Sequence, residues 1–525
     1  MHQKIAALFK FPSVLLLIIF CGVILRVYRL RELFHFTFDE EVFAFVGKRM
    51  FVNHHIPLIG GVTPFHVHVA PYFYWISGVF LYLSKLNPIG WGVVAAIFSG
   101  IVMLVLYQTG KELFNKYVGI LAVFLYSFSF YQNVFDRHYW GLIVDGLVSL
   151  LSIYSLHKII KGNQQYLYLL AVTLVFGMHA DLTALALFVL TGIAFLYFRP
   201  VVSKKVLAKA LLIFLVSFLP LVIFDLRHNF VNSRGFLQYF DELKTVQKKS
   251  VTTTPLDSFL FLPRITARLM YPFGDHDLAK LYSYCSQHVY SRVMATPILV
   301  AFVVVFLFTI LVLYTFKEKQ KNLYGLKLIL FAFFSTYLGV IFYGSFLKGD
   351  LFDHYLAPLF PLFFLVIAFF LFHIGKKSKI ILLVFLAIFV ITNSQYVVTA
   401  QHRFGYQDKV SAVQWAIQET RDQPFELDVI SSCFAYNGYR YLFYLYGKEP
   451  DKSYVDVNFT HLFDKPPAEK HPSYLVVITN PDFEETGKYY QEYNRYKEKL
   501  IKRAQFGMIE VLLVDNSNLD FIGKF

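Results

Sequence analysis

The chain has 525 residues, of which 57% are hydrophobic and only 16% charged, and its mean hydropathy is +0.52. Soluble proteins carry roughly 25% charged residues, so this composition excludes an ordinary soluble surface and makes the lipid bilayer the main solvent. The formal net charge of +14 comes mostly from short basic clusters between apolar runs, which is typical of cytoplasmic loops. The charge therefore indicates membrane topology and argues against a nucleic-acid partner.

The order of apolar runs predicts an all-α polytopic membrane protein with eleven spans. The first run, near 11–25, follows a short basic start and precedes several arginines without a small-residue cleavage site, so we interpret it as an uncleaved span. The other predicted spans lie near 91–110, 118–133, 141–157, 166–179, 182–198, 206–224, 294–315, 324–346, 355–374 and 380–397.

The segment 71–86 (PYFYWISGVFLYLSKL) is also apolar enough to cross, and its placement decides the side of every later loop. If it lies in the outer interface, the cytoplasm receives two acidic residues, Glu112 and Glu318, and sixteen basic ones: Lys4, Lys10, Lys111, Lys116, Lys158, Lys161, Arg199, Lys204, Lys205, Lys209, Lys317, Lys319, Lys321, Lys376, Lys377 and Lys379. If it spans, fourteen of those sixteen are exported, against the positive-inside rule. We therefore predict an interfacial segment and a cytoplasmic N-terminus.

The chain divides into a transmembrane domain, 1–397, and a more polar tail, 398–525, which we predict to be a small extracytoplasmic α/β domain. The transmembrane domain has two long outer loops, 27–90 and 225–292. In the tail, strand-like runs alternate with helical patterns. The strand-like runs are Leu427–Ser431, Tyr474–Thr479 and Ile509–Val514, and the helical patterns are Val410–Thr420 and Lys488–Ala504.

Residues capable of chemistry gather on the predicted outer side, whereas the cytoplasmic loops hold mainly lysine. The outer set is Asp39, Glu40, Glu41, His66, His68, Asp136, Arg137, His138, Asp145, His179, Asp181, Asp225, Arg227, His228, Lys348, Asp350, Asp353 and His354. A charge near the bilayer costs a few kcal/mol, so ionisable residues at helix ends are candidates for function.

Asp39 and Glu40 stand at the start of a predicted interfacial helix. Thr37 and Glu40 have the spacing of a capping box, and acids suit the first turn of any helix, so a purely structural role is the alternative. The two interpretations are compatible, because a capped helix start is a rigid place to hold a carboxylate.

Other polar groups have plain structural alternatives. His66 and His68 could offer two metal ligands, and Asp275-His276-Asp277 resembles a DxD metal motif, but the first pair suits a structural role and the second lies on the wrong side for a nucleotide sugar. Asp136-Arg137-His138 could be an ion pair within one loop, and Asp145 a polar contact between helices.

The three cysteines, Cys21, Cys285 and Cys433, have no metal or redox spacing. At most Cys285 and Cys433 could pair.

Four stretches together resemble the GT-C superfamily of polyprenyl-phosphate-sugar-dependent glycosyltransferases, in the branch of the protein O-mannosyltransferases, aminoarabinose transferases and RgtA-like enzymes. They are FDEEVFAFVGKRM at 38–50, HVAPYFYWISGVFLYL at 68–83, LIVDGLVSLL at 142–151 and KGDLFDHYLAPLFPLFFL at 348–365. LPLVIFDLRHNF at 219–230 also resembles RgtA-like sequences, and the likeness covers about 1–375. Two departures argue against the aminoarabinose substrate: Val69-Ala70 precede Pro71, and FGMHADL at 176–182 carries no lysine.

The resemblance implies inverting transfer of a sugar from a polyprenyl-phosphate donor to a protein, lipid or glycan acceptor at the outer face. Asp39 would accept the proton of the nucleophile, and Glu40 would position the acceptor or a divalent metal, whose requirement is open. Lys348, His354 and Tyr355 would bind the donor phosphate with help from Arg137 and His138, and Asp145 would join the substrate site. The alternative is a transporter or flippase of lipid-linked sugars, which should bury charges near the midplane of repeated halves.

Overall fold

The computed structural model describes residues 12–63, 66–245, 255–282, 286–317, 323–347, 349–431, 437–464, 466–479 and 487–517. Lys348, Cys285 and Cys433, all singled out in the sequence, lie outside these residues. The first half of the chain forms helices α1 Ser13–Val27, α2 Leu30–Leu33, α3 Phe38–Phe51, α4 Tyr72–Leu83, α5 Ile89–Leu113, α6 Lys116–Phe128, α7 Phe130–Phe135, α8 Asp145–Ile160, α9 Tyr166–Ala180, α10 Leu185–Phe198, α11 Lys204–Ser217 and α12 Leu219–Arg227.

The second half continues with α13 Val231–Thr245, α14 Pro255–Arg268, α15 Leu278–Leu281, α16 Ser286–Met294, α17 Ile298–Lys317, α18 Tyr324–Ser345, α19 Phe360–Lys377 and α20 Lys379–Thr399. Short 3₁₀ turns cover Gly141–Val144, Leu182–Ala184, Asp353–Leu359 and Thr460–Leu462. The tail contains α21 Tyr406–Thr420, β1 Phe425–Ile430, α22 Tyr439–Leu445, β2 Lys452–Ser453, α23 Asp456–Phe459, β3 Tyr474–Thr479, α24 Gly487–Glu498, β4 Leu500–Phe506 and β5 Ile509–Asp515.

The chain is a multi-pass membrane protein. Within the described residues, six helical segments are long and apolar enough to cross a bilayer, and the bent pair α11–α12 would make a seventh. Shorter apolar helices, α1, α6, α9 and α10, occupy four further predicted spans. A helix therefore lies at each of the eleven predicted positions, while the number that cross stays a prediction.

The ambiguous segment 71–86 contains α4, which has only 12 residues. Such a helix is about 18 Å long, whereas crossing the hydrocarbon core takes roughly 20 residues. It packs closely on α3, because a Cβ added at Gly47 would lie 3.0 Å from Gly78 Cα. Since α6 and α10, with 13 and 14 residues, are nearly as short, length alone does not separate α4 from the predicted spans, and its interfacial placement stays a prediction.

The loops predicted to be cytoplasmic meet at one end of the bundle. Glu112, after α5, pairs with Lys158 Nζ at 2.8 Å and Lys161 Nζ at 3.4 Å, both near the end of α8. The backbone N–H of Ser203 donates to Gln164 Oε1 at 2.7 Å, which joins the next two loops. These contacts bring three of the loops predicted to be cytoplasmic together at one end of the bundle.

The tail is a small α/β unit with a five-stranded sheet in the order β2-β1-β3-β5-β4. β2, β1 and β3 are parallel, and β5 is antiparallel to both β3 and β4, with Val429 opposite Ile478 and Val477 opposite Leu512. One correction concerns the predicted helix Lys488–Ala504. The helix ends at Glu498, and Leu500–Phe506 form β4, because Gly507, with φ +57°, turns the chain into a hairpin with β5.

Candidate active site

The site begins at α3, whose first turn carries three consecutive acids. Thr37 is the N-cap: its side chain and that of Glu40 form a capping box, and the backbone N–H of Thr37 donates to Glu40 Oε2 at 2.9 Å. Successive residues on an α-helix point about 100° apart, so Asp39, Glu40 and Glu41 face three directions. Since Thr37 caps the helix, Asp39 is free of that structural task.

Asp39 faces a cavity of about 1360 Å³. Val42, Val46 and Arg49 line the same cavity further along α3, which therefore forms one wall. The other walls come from the first outer loop, the segment after α9, helix α18, the tail, and the loop between α18 and α19, which we call the late outer loop. The lining residues include Pro57, Gly60, His68, Asp181, Leu185, Thr336, Tyr343, His354, Tyr355 and Phe459. Its volume exceeds that of a typical small-molecule pocket, roughly 300–1,000 Å³.

The carboxyl group of Asp39 is buried and lies near other acids. Burial, together with the negative charges of Glu40 and Asp181, raises its pKa from 3.8 to about 7. A general base is most effective when its pKa lies near the working pH. Asp39 is thus poised to take a proton inside the cavity.

Asp181 and Asp145 are joined by one threonine hydroxyl. Thr183 Oγ1 lies 2.8 Å from Asp181 Oδ1 and 2.5 Å from Asp145 Oδ2, and the backbone N–H of Thr183 also donates to Asp181 at 2.8 Å. Asp181 lines the cavity, whereas Asp145 lies behind it and is fully buried. Burial raises the pKa of Asp181. Asp145 reaches the cavity only through Thr183.

Glu40 is turned away from the cavity. Its Oε1 contacts His138 Nε2, and the imidazole of His138 stacks on the indole of Trp140 at 4.0 Å. Trp140 contacts the ring of His354 at 4.9 Å, and both residues line the cavity. Glu40 and His138 therefore support the cavity wall rather than face the cavity.

Arg137 is fully buried, and its Nε and Nη2 donate to backbone oxygens, whereas its Nη1 is buried without a hydrogen-bond partner among the described residues. Its guanidinium donates to the carbonyls of Leu25 at 2.6 Å, Arg26 at 3.2 Å and Tyr28 at 3.4 Å. These contacts hold the end of α1 against the segment after α7, and Arg137 does not line the main cavity. Of the predicted phosphate ligands within the described residues, the structure places only His354 and Tyr355 in the cavity wall.

Arg227 and His228 also line the cavity, although the sequence pointed to them only as charges on the outer face. They follow Phe224 at the end of α12, and the His228 ring stacks on Phe224 at 4.1 Å. His68 is held nearby, since its Nδ1 lies 2.8 Å from Asn232 Oδ1. The signal that could have identified them is the Arg-His pair in LPLVIFDLRHNF.

The metal-like motifs of the sequence have other partners. His66 Nε2 lies 2.9 Å from Glu242 Oε2, while His68 contacts Asn232, so the two histidines point to different groups. Asp275 pairs with Arg268, and Asp277 caps α15 by accepting the N–H of Ala279 at 3.0 Å. Among the described residues, no group of three or more His, Cys, Asp or Glu side chains is arranged to hold a metal ion.

Comparison with known protein sequences gives one match to a family model. Residues 68–224 match the family model described as dolichyl-phosphate-mannose-protein mannosyltransferase. No curated protein sequence matches the chain.

Three solved structures resemble it across most of its length. ArnT from Cupriavidus metallidurans bound to undecaprenyl phosphate has a TM-score of 0.57 at 12% identity, covering 96% of this chain and 98% of that one. The apo form of the same protein has a TM-score of 0.55 at 11% identity, covering 95% and 97%. The oligosaccharyltransferase of Archaeoglobus fulgidus in complex with Zn and sulfate has a TM-score of 0.52 at 11% identity, covering 91% and 69%. At such identities the likeness shows a shared fold.

Proposed function

We propose that this chain, a membrane glycosyltransferase of the GT-C superfamily, transfers a sugar from a polyprenyl-phosphate donor to an acceptor at the extracytoplasmic face, with inversion. One observation carries the proposal: a large, mostly apolar-walled cavity is lined by the buried carboxylates of Asp39 and Asp181, and the pKa of Asp39, raised to about 7, suits a base. The family match over residues 68–224 and the shared fold support the donor class.

In the proposed reaction, Asp39 takes the proton from the hydroxyl or amine of the acceptor as that atom attacks the anomeric carbon. The bond between the anomeric carbon and the phosphate oxygen breaks, and polyprenyl phosphate leaves with the electron pair. A leaving phosphate needs positive charge and hydrogen-bond donors near its developing charge. We assign this task to Lys348, His354 and Tyr355 on the late outer loop.

The positions of the helper residues modify that assignment. Arg137 donates to three carbonyls and His138 lies behind Trp140, so we give both a supporting role. Arg227 and His228 line the cavity and are better placed to meet the phosphate. Glu40 and Asp145 act through His138 and Thr183 respectively, and the requirement for a divalent metal is left open.

We further propose that the basic face of the bundle is cytoplasmic and that the tail is an extracytoplasmic domain. The ion pairs of Glu112 with Lys158 and Lys161 lie at the basic end, as expected for cytoplasmic loops. The tail packs instead on α3, next to Asp39, through Glu41 and Tyr441. The active site and the tail would then share the outer side.

A transporter or flippase of lipid-linked sugars is the competing function. A transporter commonly places its binding site at broken helices near the midplane of repeated halves. Here the acids stand at the end of the bundle that carries the tail, and Asp39 lies on an interfacial helix outside the long spans. The placement favours an enzyme.

The test compares a deletion strain complemented with wild-type protein, Asp39→Asn or Asp277→Asn. Asp277 is a matched control, because it caps α15 outside the cavity and Asn caps equally well. Mass analysis of envelope glycolipids, glycoproteins and polysaccharides should show one sugar addition restored by wild type and Asp277→Asn and missing with Asp39→Asn. Restoration by all three would remove Asp39 from the reaction. Donor movement across the bilayer of proteoliposomes that contain no acceptor, without loss of the sugar from its lipid, would favour the flippase.

A further inference from the structure

The tail packs on α3 on the face opposite the cavity. Glu41 is buried, and its Oε1 accepts the backbone N–H of Tyr441 at 2.9 Å. Residues two positions apart on an α-helix point about 200° apart around the helix axis, so Glu41 and Asp39 point to opposite sides of α3. The Tyr441 ring packs on Phe45 at 5.1 Å, one turn further along α3. The back of α3 thus belongs to the interface with the tail.

The tail also holds the segment that leads into α3. The ammonium group of Lys409 is completely buried and donates to the carbonyl of Phe36 at 2.6 Å and to that of Asn437 at 2.9 Å. The backbone N–H of Tyr406 donates to the carbonyl of Phe34 at 3.0 Å. The fit is close, because a Cβ added at Gly438 would lie 2.8 Å from the Phe36 ring.

A third set of contacts fixes the far end of α3. Lys48 forms an ion pair with Asp464 of the tail, whose other carboxylate oxygen accepts from Asn53 Nδ2 at 3.2 Å. Arg49 donates to the carbonyl of His461. Anchors at the start, the back and the end leave α3 little freedom to rotate or slide.

We propose that the C-terminal domain is a brace that sets the position of the Asp39 carboxylate, with Lys409 and Glu41 as positioning residues for the transfer reaction. The inference rests on the proposed function, in which Asp39 is the base. α3 has only 14 residues and already packs on α4, and the polar anchors from the tail add contacts at its start, its back and its far end. A displacement of about 1 Å at a reacting group can cost roughly 100-fold in rate.

The experiment compares Lys409→Met and Glu41→Leu with a matched control, Lys448→Met. Lys448 donates to Thr420 Oγ1 at 2.8 Å within the tail. Among the described residues no hydrogen bond or ion pair joins Lys448 to α3, so Lys448→Met disturbs the domain without removing an anchor of α3. Each variant is purified as the full chain and assayed with the lipid-linked donor that wild type uses. Amide hydrogen exchange of residues 38–42 is measured on the same preparations without any ligand.

If the tail is a brace, Lys409→Met and Glu41→Leu stay monodisperse, and the amide hydrogens of residues 38–42 exchange faster than in wild type. Their kcat falls about 10- to 100-fold, while the KM for the donor changes less than about twofold. Lys448→Met keeps wild-type kcat and exchange. Wild-type kcat and exchange in either α3-anchoring variant would overturn the proposal. So would aggregation of both variants beside an intact Lys448→Met, because the contacts would then maintain the fold. If wild type transfers no sugar, the proposed function fails, and unchanged exchange at residues 38–42 then separately refutes the brace.

Discussion

Glu40 Oε1 and His138 Nε2 are in direct contact, and the two side chains are only 0% and 3% exposed. The pair joins the start of α3 to the segment after α7, and through the stacked Trp140 it reaches His354 in the cavity wall. Two residues singled out in the sequence as separate candidates, one for the acceptor and one for the phosphate, are therefore partners of each other.

This pairing predicts strong coupling between the two positions. Changing one partner of a buried polar contact leaves the other buried group without its counterpart, so Glu40→Gln and His138→Gln should each lower the thermal denaturation temperature. The double variant should lose less free energy of unfolding than the sum of the two single variants, and the difference, the coupling energy, should be about 1–3 kcal/mol. Thermal denaturation of both single variants and the double variant, in detergent, measures it. Additive effects would show that the contact has little energetic weight.

The position of Asp39 predicts that its removal stabilises the protein. Its carboxyl has a pKa of about 7 in the folded state and 3.8 in the reference state, so the folded state binds more protons between those values. Stability therefore falls as pH rises through this window, because the buried group must ionise. Asp39→Asn carries no such charge and should denature at a higher temperature than wild type, with a gap that widens from pH 5 to pH 8. A lower temperature at pH 8 would indicate that the carboxylate is structural.

The same pKa predicts the pH dependence of transfer. The base acts in its ionised form, so kcat/KM should rise with pH, reach half its plateau near 7, and flatten above that value. Glu41, whose pKa burial also raises to about 7, is turned toward the tail and should affect this profile only through the position of α3. Initial rates between pH 5 and 9 at low donor concentration measure the curve. A rate independent of pH across this range would assign the proton to another group.

The fold was largely predictable because long apolar runs and clustered lysines are direct consequences of the bilayer. The tail was harder. KLIKRAQF at 499–506 contains good helix formers, and only pairing with β5 makes residues 500–506 an edge strand, with charged side chains exposed. Gly507 was the available local signal for the hairpin.

The candidate site shows a different limit. Sequence and charge place Arg137 and Arg227 on the same side of the membrane, but they do not tell which way a side chain points. In the structure the Arg137 guanidinium donates to backbone carbonyls, whereas Arg227 lines the cavity. Direction depends on packing between segments that are distant in sequence.

The charge distribution predicts the orientation of the chain. Reporter fusions after Lys319 and after Lys377 should both report the cytoplasm, because the positive-inside rule places basic loops there. A fusion after Thr420, within the tail, should report the opposite side and serves as the internal contrast. An extracytoplasmic signal at both lysine positions would reverse the topology and remove the predicted outer active site.

Lys348, which lies outside the described residues, carries the last prediction. It directly precedes the loop that holds His354 and Tyr355 in the cavity wall, where the proposed donor phosphate would lie. A lysine at a membrane surface can instead extend its ammonium group to the lipid headgroups, in which case exchange for Gln should be harmless. If Lys348 binds the phosphate, Lys348→Gln should raise the apparent KM for the polyprenyl donor about 10-fold or more and leave the KM for the acceptor nearly unchanged. The reason is that a hydrogen bond to a charged group contributes roughly 1.5–3 kcal/mol, and about 1.4 kcal/mol corresponds to a tenfold change. Lys376→Gln, on the basic face, is the control and should behave as wild type. Kinetics with varied donor decide between the two, and an unchanged donor dependence in Lys348→Gln would place the phosphate with Arg227 and His228 instead.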